Sequence, residues 1–411
     1  MTFSQLGLSP SIVDVLPISF KHPTPIQTLA IPVALSKKDV LALAQTGSGK
    51  TLAFGLPIIE SLTGKAQGIE ALVIVPTREL AQQVSSSLLE IAKPLGQQVV
   101  TLCGGVDQSA QISHVNQGAR IVVATPGRLL DLLEQQLLPV AHLQSLVLDE
   151  ADRLLDMGFL KDIEKIVSHL PRENRQTMMF SATLASKLEK LAQQILQQPQ
   201  KIEANEANTV VENINEQLYL INKGSKAKAL IALLTENDWQ QALVFINAKD
   251  SVDSVAKKLK KAGLNVAALH GEKKQSERQQ TLADFHDKKL NVVVATDVLA
   301  RGIDIDSLPV VINLDLPDNA PVYVHRVGRT ARAGKSGVAI SLVCHGEAKA
   351  LAAIRTLTKR ELPLQSLENF PVTDKPSTGE SKRGPKDKKA NRRTAKRKQA
   401  GGFKKEKPER R

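Results

Sequence analysis

The chain has 411 residues, of which 42% are hydrophobic and only 3% aromatic, with two cysteines and a formal net charge of +13. At roughly 100–200 residues per domain this means two or three domains. No apolar run of about 18 residues is present, so no membrane-spanning helix is expected, and the widely separated Cys103 and Cys344 make neither a metal spacing nor a disulfide framework. The charge is uneven: residues 381–411 hold 15 Lys or Arg against 3 acids, a balance of +12, so the rest of the chain is nearly neutral. A neutral body with a cationic appendage points to a polyanionic partner, nucleic acid first.

In chain order, the first informative stretch is residues 40–51. Val-Leu-Ala-Leu reads as a buried strand and runs into Ala44-Gln-Thr-Gly-Ser-Gly-Lys-Thr51, a glycine-rich loop before a helix start. Gly47 and Gly49 admit backbone conformations closed to other residues. The loop N–H groups, those of Thr46 and Ser48 included, and the helix N-terminus surround a phosphate. Lys50 adds a point charge there, and the Thr51 hydroxyl suits Mg²⁺. Apolar runs follow at 71–75, 120–124, 145–148, 177–180, 242–246, 291–295 and 310–314. They are continuous rather than alternating, as in strands buried on both faces of a parallel sheet. Residues 79–92 and 251–261 carry helical periodicity.

The run 145–148 delivers Asp149-Glu-Ala-Asp152 to a strand's C-terminal edge, where open α/β sheets bind ligands. There Asp149 is placed to hold Mg²⁺, and Glu150 to orient and deprotonate a water; the alternative is a pair of N-capping acids. Ile-Val-Val-Ala-Thr at 121–125 and Val-Val-Val-Ala-Thr at 292–296 echo each other, a hint of two copies of one α/β unit. Residues 205–215 are polar and lack an apolar stripe, which makes them the expected linker. Beyond residue 370 no core could form, and disorder is expected. The expected architecture is α/β, with domains at 1–204 and 216–370 and a basic tail at 371–411.

Asp149-Glu-Ala-Asp152 spells the signature of the DEAD-box RNA helicases, and further matches to that family follow in order. Phe3, Phe20 and Pro23-Thr-Pro-Ile-Gln27 resemble its adenine-reading segment, and residues 44–51 its phosphate loop. Pro76-Thr-Arg-Glu-Leu80, Gly104-Gly105 and Thr125-Pro-Gly-Arg128 resemble its RNA-contacting motifs, and Ser181-Ala-Thr183 its coupling motif. Val244-Phe-Ile-Asn247, Gln275-Ser-Glu-Arg278, residues 295–304 and residues 323–334 resemble the set of the second domain. Ser19 and Ala331 stand where the family usually has glycine.

The resemblance implies two tandem RecA-like domains that share ATP, Mg²⁺ and RNA. Gln27 would contact adenine through its amide, with Phe3 and Phe20 against the base and Gly302 and Asp304 near the ribose. Arg326 and Arg329, three apart, would reach across the cleft as arginine fingers. Asp152, Ser181, Thr183 and His325 would link nucleotide state to RNA. Arg78, Gly105, Thr125, Arg128, Arg278, Thr296 and Arg301 would hold the RNA backbone without reading bases, on single strands or short duplexes. A cytoplasmic monomer is the default. An RNA clamp that unwinds poorly, a DNA helicase on the same plan and a purely structural RNA-binding protein stand as alternatives.

Overall fold

Two seven-stranded sheets organise the computed structural model. The structure describes residues 1–18, 20–44, 47–62, 68–184, 186–204, 214–297, 308–331 and 336–375. The first sheet takes Val40–Leu43 (β1), Ala71–Ile74 (β2), Val99–Leu102 (β3), Ile121–Ala124 (β4), Ser145–Leu148 (β5), Gln176–Ser181 (β6) and Gln200–Glu203 (β7). The second takes Ile214–Leu220 (β8), Ala242–Phe245 (β9), Val266–Leu269 (β10), Val292–Ala295 (β11), Val310–Asn313 (β12), Gly337–Val343 (β13) and Leu364–Ser366 (β14). All strand pairings in both sheets are parallel.

The strand orders are β3-β4-β2-β5-β6-β1-β7 and β10-β11-β9-β12-β13-β8-β14. Renumbered from its own first strand, the second order is the same permutation as the first. The two Ala-Thr runs noticed in the sequence are β4 and β11, which hold the same place in their sheets. Parallel neighbours need crossover helices on the sheet faces, and these cover the strands on both sides. The central strands β1, β2, β4, β5 and β6 are buried at every position, as the continuous apolar runs predict. Separate apolar cores lie on opposite faces: Val73, Val123 and Phe180 belong to one, Leu72, Val122 and Met179 to the other.

Each expected run becomes a strand within a residue or so, and the helices Arg78–Ala92 and Lys249–Lys261 contain the two periodic stretches. One boundary differs. Ile214 and Asn215, expected in the linker, pair with Gly337 and Val338 as the start of β8. A single buried Ile in a polar stretch gives no periodicity to detect. The rest of the expected linker and the tail beyond residue 375 lie outside the described residues.

At the strands' N-terminal edge, Glu70 and Arg120 precede β2 and β4. Arg120 donates to both carboxylate oxygens of Glu70, at 2.6 and 2.9 Å, and both side chains are buried. Removing one member of such a pair leaves a buried charge without its counterion. Glu70→Ala should therefore lower stability by about 3–5 kcal/mol, read as a shift of the urea midpoint in circular dichroism.

Candidate active site at the strand edges

β5, β6 and β1 are neighbours in the first sheet, so the segments after them meet at one edge. These are Asp149–Asp152, residues 181–183 and the glycine-rich loop. Gly49 adopts φ +92, and a Cβ built there would lie 2.5 Å from Gln27 Nε2, so the position demands glycine. The helix Lys50–Ser61 starts directly after it. Lys50 Nζ is buried with no hydrogen-bond partner among the described residues. An ammonium in that condition calls for an anion. Ser48 and Thr51 are half-buried beside it, and Gly47 also adopts a positive φ. Thr46 lies outside the described residues.

The adenine-reading segment is arranged differently from expectation. Gln27 Oε1 accepts from Thr24 N at 2.9 Å, and Nε2 donates to Gly49 O at 3.0 Å. Its amide thus caps the helix Pro25–Leu35 and ties it to the phosphate loop, so contact with a base requires these bonds to be exchanged. Phe3 is not open to a base either: it is 4% exposed and packed in the core with Leu6 and Leu8. Its early place in the chain gave no sign of that packing. Phe20, 38% exposed, is the aromatic that offers a face.

Three carboxylates sit at the end of β5, all buried. Burial pushes Asp149 up to about 6 against the pull of Lys50, with Glu150 adding repulsion. For Glu150 burial works in the same direction, but Arg153, then Lys50 and Arg329, outweigh it and hold the carboxyl down at about 2. Arg153 Nη1 lies 2.6 Å from Glu150 Oε2, and Glu150 itself sits in a left-handed conformation, φ 48 and ψ 50. It makes no side-chain capping bond, which argues against the plain capping alternative. Asp152 Oδ2 accepts from Thr183 N at 3.0 Å and Thr183 Oγ1 at 2.8 Å, while Ser181 Oγ donates to Thr183 O at 2.8 Å. Although burial disfavours the charge on Asp152, His325 and then Lys50 and Thr183 hold it well below the usual carboxylate range.

His325 comes from the second sheet's side of the molecule, and its Nε2 lies 3.3 Å from Asp152 Oδ2. Arg329 is buried and close enough to Glu150 to lower its pKa. Arg326 departs from expectation. It is fully buried, and its guanidinium donates to Asp297 Oδ1 and Oδ2 at 2.6 and 2.7 Å, Asn247 Oδ1 at 2.8 Å, Asp315 O at 2.6 Å and Asn313 Oδ1 at 3.2 Å. It also lies over the Phe245 ring at 5.0 Å. All these partners belong to its own sheet, so Arg326 braces the second domain and does not cross the cleft. The helix Ala320–Val327 ends before Arg329, so the two arginines do not share one helical face. Gly302 and Asp304 lie outside the described residues.

Of the expected RNA contacts, Arg78, Gly105 and Arg128 are brought together. Gly105 adopts φ +78, and a Cβ there would collide with the Arg78 guanidinium. Arg128 donates to Val106 O at 3.2 Å. Thr125 caps the helix Pro126–Glu134, and Thr296 follows β11 in the corresponding place. Arg278 is not open: it pairs with the buried Glu79 of the first domain, which also accepts from Gln275 Nε2 at 3.2 Å. Gln279 Nε2 donates to Gln82 Oε1 at 3.1 Å one turn further along. Arg301 lies outside the described residues. Arg153 and Glu79 did not stand out in the sequence. The i, i+3 spacing of Glu150 and Arg153 was a usable sign; the contact of Glu79 with Arg278 spans 199 positions and left none.

The family model described as DEAD/DEAH box helicase matches residues 24–191, and that described as helicase conserved C-terminal domain matches residues 225–334. The chain is 40% identical over 362 residues to the DEAD-box ATP-dependent RNA helicase CshA of Geobacillus kaustophilus, a match covering 88% of this chain and 77% of that protein. Among solved structures it is similar to S. cerevisiae Dbp5 bound to RNA and ADP BeF3, at 31% identity and TM-score 0.81, covering 89% of this chain and 95% of that one. A second is Mss116p bound to ssRNA and AMP-PNP, at 29% identity and TM-score 0.81, covering 89% and 78%. Two duplicated parallel sheets with RecA-like order, a phosphate loop after the first strand and both models matched in sequence make one conclusion: the chain belongs to the DEAD-box family of ATP-dependent RNA helicases.

Proposed function

We propose that the chain separates short RNA duplexes, or remodels RNA–protein complexes, by closing its two domains on ATP and RNA together. One observation carries this reading: Asp152 is shared between Thr183 of the first domain and His325 of the second. A group held by both domains ties the state of one to the state of the other.

Lys50 takes the outer phosphates, with Gly47, Ser48 and Gly49 around them and Phe20 against the base. Thr51 and Asp149 would hold the accompanying Mg²⁺, and the high pKa of a buried Asp149 beside Glu150 fits a position short of positive charge. The ion supplies neutralisation of the phosphate charge. Glu150 orients the attacking water and accepts its proton, and Arg329 faces the charge that develops on the transferred group. Arg78, Gly105, Thr125, Arg128 and Thr296 hold RNA through its backbone, so binding is independent of sequence. Closure bends the bound strand away from duplex geometry, and hydrolysis reopens the clamp. RNA then tightens ATP binding by the factor by which ATP tightens RNA binding. A cytoplasmic monomer is the simplest form of such a device.

Glu150→Gln should keep ATP and RNA binding and lower the hydrolysis rate roughly 10²–10⁴-fold. Phosphate release under saturating RNA measures this, and wild-type turnover in the variant removes Glu150 as the base. The two arginines separate cleanly. Arg329→Ala should lose roughly 10³–10⁵ in RNA-stimulated rate at unchanged stability. Arg326→Ala should instead cost about 2–5 kcal/mol of stability by leaving Asp297 without its partner. Turnover and thermal melts on both variants decide the assignment. Deleting residues 381–411 should flatten the log–log dependence of RNA affinity on salt by roughly 0.7 for each phosphate that the tail neutralises, with RNA-free ATPase unchanged.

A further inference from the structure

β10 is the outermost strand of the second sheet and pairs only with β11. Beyond its open edge the helices Lys249–Lys261 and Gln275–His286 enclose a groove of about 580 Å³. Its floor is made of small side chains, Ala256, Ala267 and Ala268, and its rim carries Lys257, Lys260 and Lys273. Lys257 and Lys260 are exposed, and neither has an acidic partner among the described residues. They share the last turns of their helix with Lys258 and Lys261, and no acid lies among them. The carboxylate of Asp253 is already engaged by His270 at 2.9 Å and Lys273 at 3.2 Å, which leaves Glu277 as the groove's remaining acid.

Lysines in a last helical turn ordinarily offset the helix dipole. That use does not account for Lys273, which faces them from the other side of the groove. The wall formed by Gln275–His286 begins at Gln275 and Arg278, the residues that meet Glu79 of the first domain. The groove therefore continues from the interlobe site along the edge of the sheet.

We propose that this groove holds the backbone of single-stranded RNA that extends beyond the interlobe site. Lysines act there as mobile point charges that meet phosphates without reading bases. The alanine floor lets the strand approach closely, and it lacks the aromatic or large apolar anchor on which peptide interfaces depend. The inference rests on the RNA-clamp reading above, and two RNA lengths separate the two ideas.

The test measures binding of the full chain to a fluorescent short oligouridylate, which fills only the interlobe site, and to polyuridylate, across a salt series. For Lys257→Gln/Lys260→Gln, affinity for polyuridylate falls roughly tenfold near physiological salt and the log–log slope shrinks by about 1.4. The short oligouridylate binds as to the wild type and stimulates the same maximal ATPase. Lys257→Arg/Lys260→Arg keeps the wild-type slope, since charge and not lysine identity is required. An unchanged slope on polyuridylate overturns the groove, and so does an equal loss on both lengths, which would put the lysines' effect in the cleft. A wild-type chain that ignores the short oligouridylate overturns the clamp reading and the groove with it.

Discussion

Charge burial at the end of β5 is the constraint around which the rest is arranged. Asp149, Glu150 and Asp152 are 3%, 3% and 5% exposed within four positions. Like charges so placed are costly unless cations share the site. The first domain supplies Lys50 and Arg153, one positive charge short of the three carboxylates. His325 and Arg329 come from the second domain. The electrostatics of the first domain are thus completed by the second, and a bound polyphosphate enlarges the need. Docking of the domains and occupation of the site are one problem in charge compensation, which is a physical basis for reciprocal coupling.

The duplicated sheets show how one copy lost the phosphate site. In the first copy, β1 runs through Gly-Ser-Gly to Lys50 at a helix start, and Asp149 follows β5. In the second, β8 runs through Lys-Gly-Ser to Lys226, again the first residue of a helix, Lys226–Glu236, and Asp315 follows β12. The positions correspond, but the chemistry does not. Lys226 Nζ donates to Leu314 O and Glu347 Oε2, each at 2.7 Å, and lies 3.5 Å from Asp315. Its ammonium is satisfied within the domain, whereas Lys50 has no hydrogen-bond partner among the described residues. The same scaffold makes a ligand site in one copy and a structural brace in the other, and the acid at position 347 marks the difference.

What was legible in the sequence follows the range of the interactions. Strands such as Ser145–Leu148 were readable because burial on both faces writes a continuous apolar run. The phosphate loop was readable because its glycines, lysine and hydroxyl are contiguous. Phe3, Arg326 and Arg278 were misread for a common reason: what a side chain does depends on partners far along the chain. Arg326 is occupied by Asn247, Asp297, Asn313 and Asp315, none of which its own motif contains. Ala331 stands out by contrast. Its place in a motif that usually has glycine was visible, and its φ of 56 gives the reason for that preference.

Arg153 makes the proposed base a guarded one. With its carboxyl held at about 2 by Arg153, Glu150 is always ionised and therefore always able to accept a proton. The same pairing makes it a weak acceptor, because a base works best when its pKa lies near the working pH. Its left-handed backbone adds strain of about 1–3 kcal/mol that the surrounding packing must sustain. A slow resting enzyme needs both features: a base that never has to be deprotonated, and a partner that must yield before it can act. Arg329 approaches the same carboxylate from the second domain, so domain closure is the event that alters the balance between Glu150 and Arg153. On this view the gate on hydrolysis is not access of water to the nucleotide but competition between two guanidinium groups for one carboxylate.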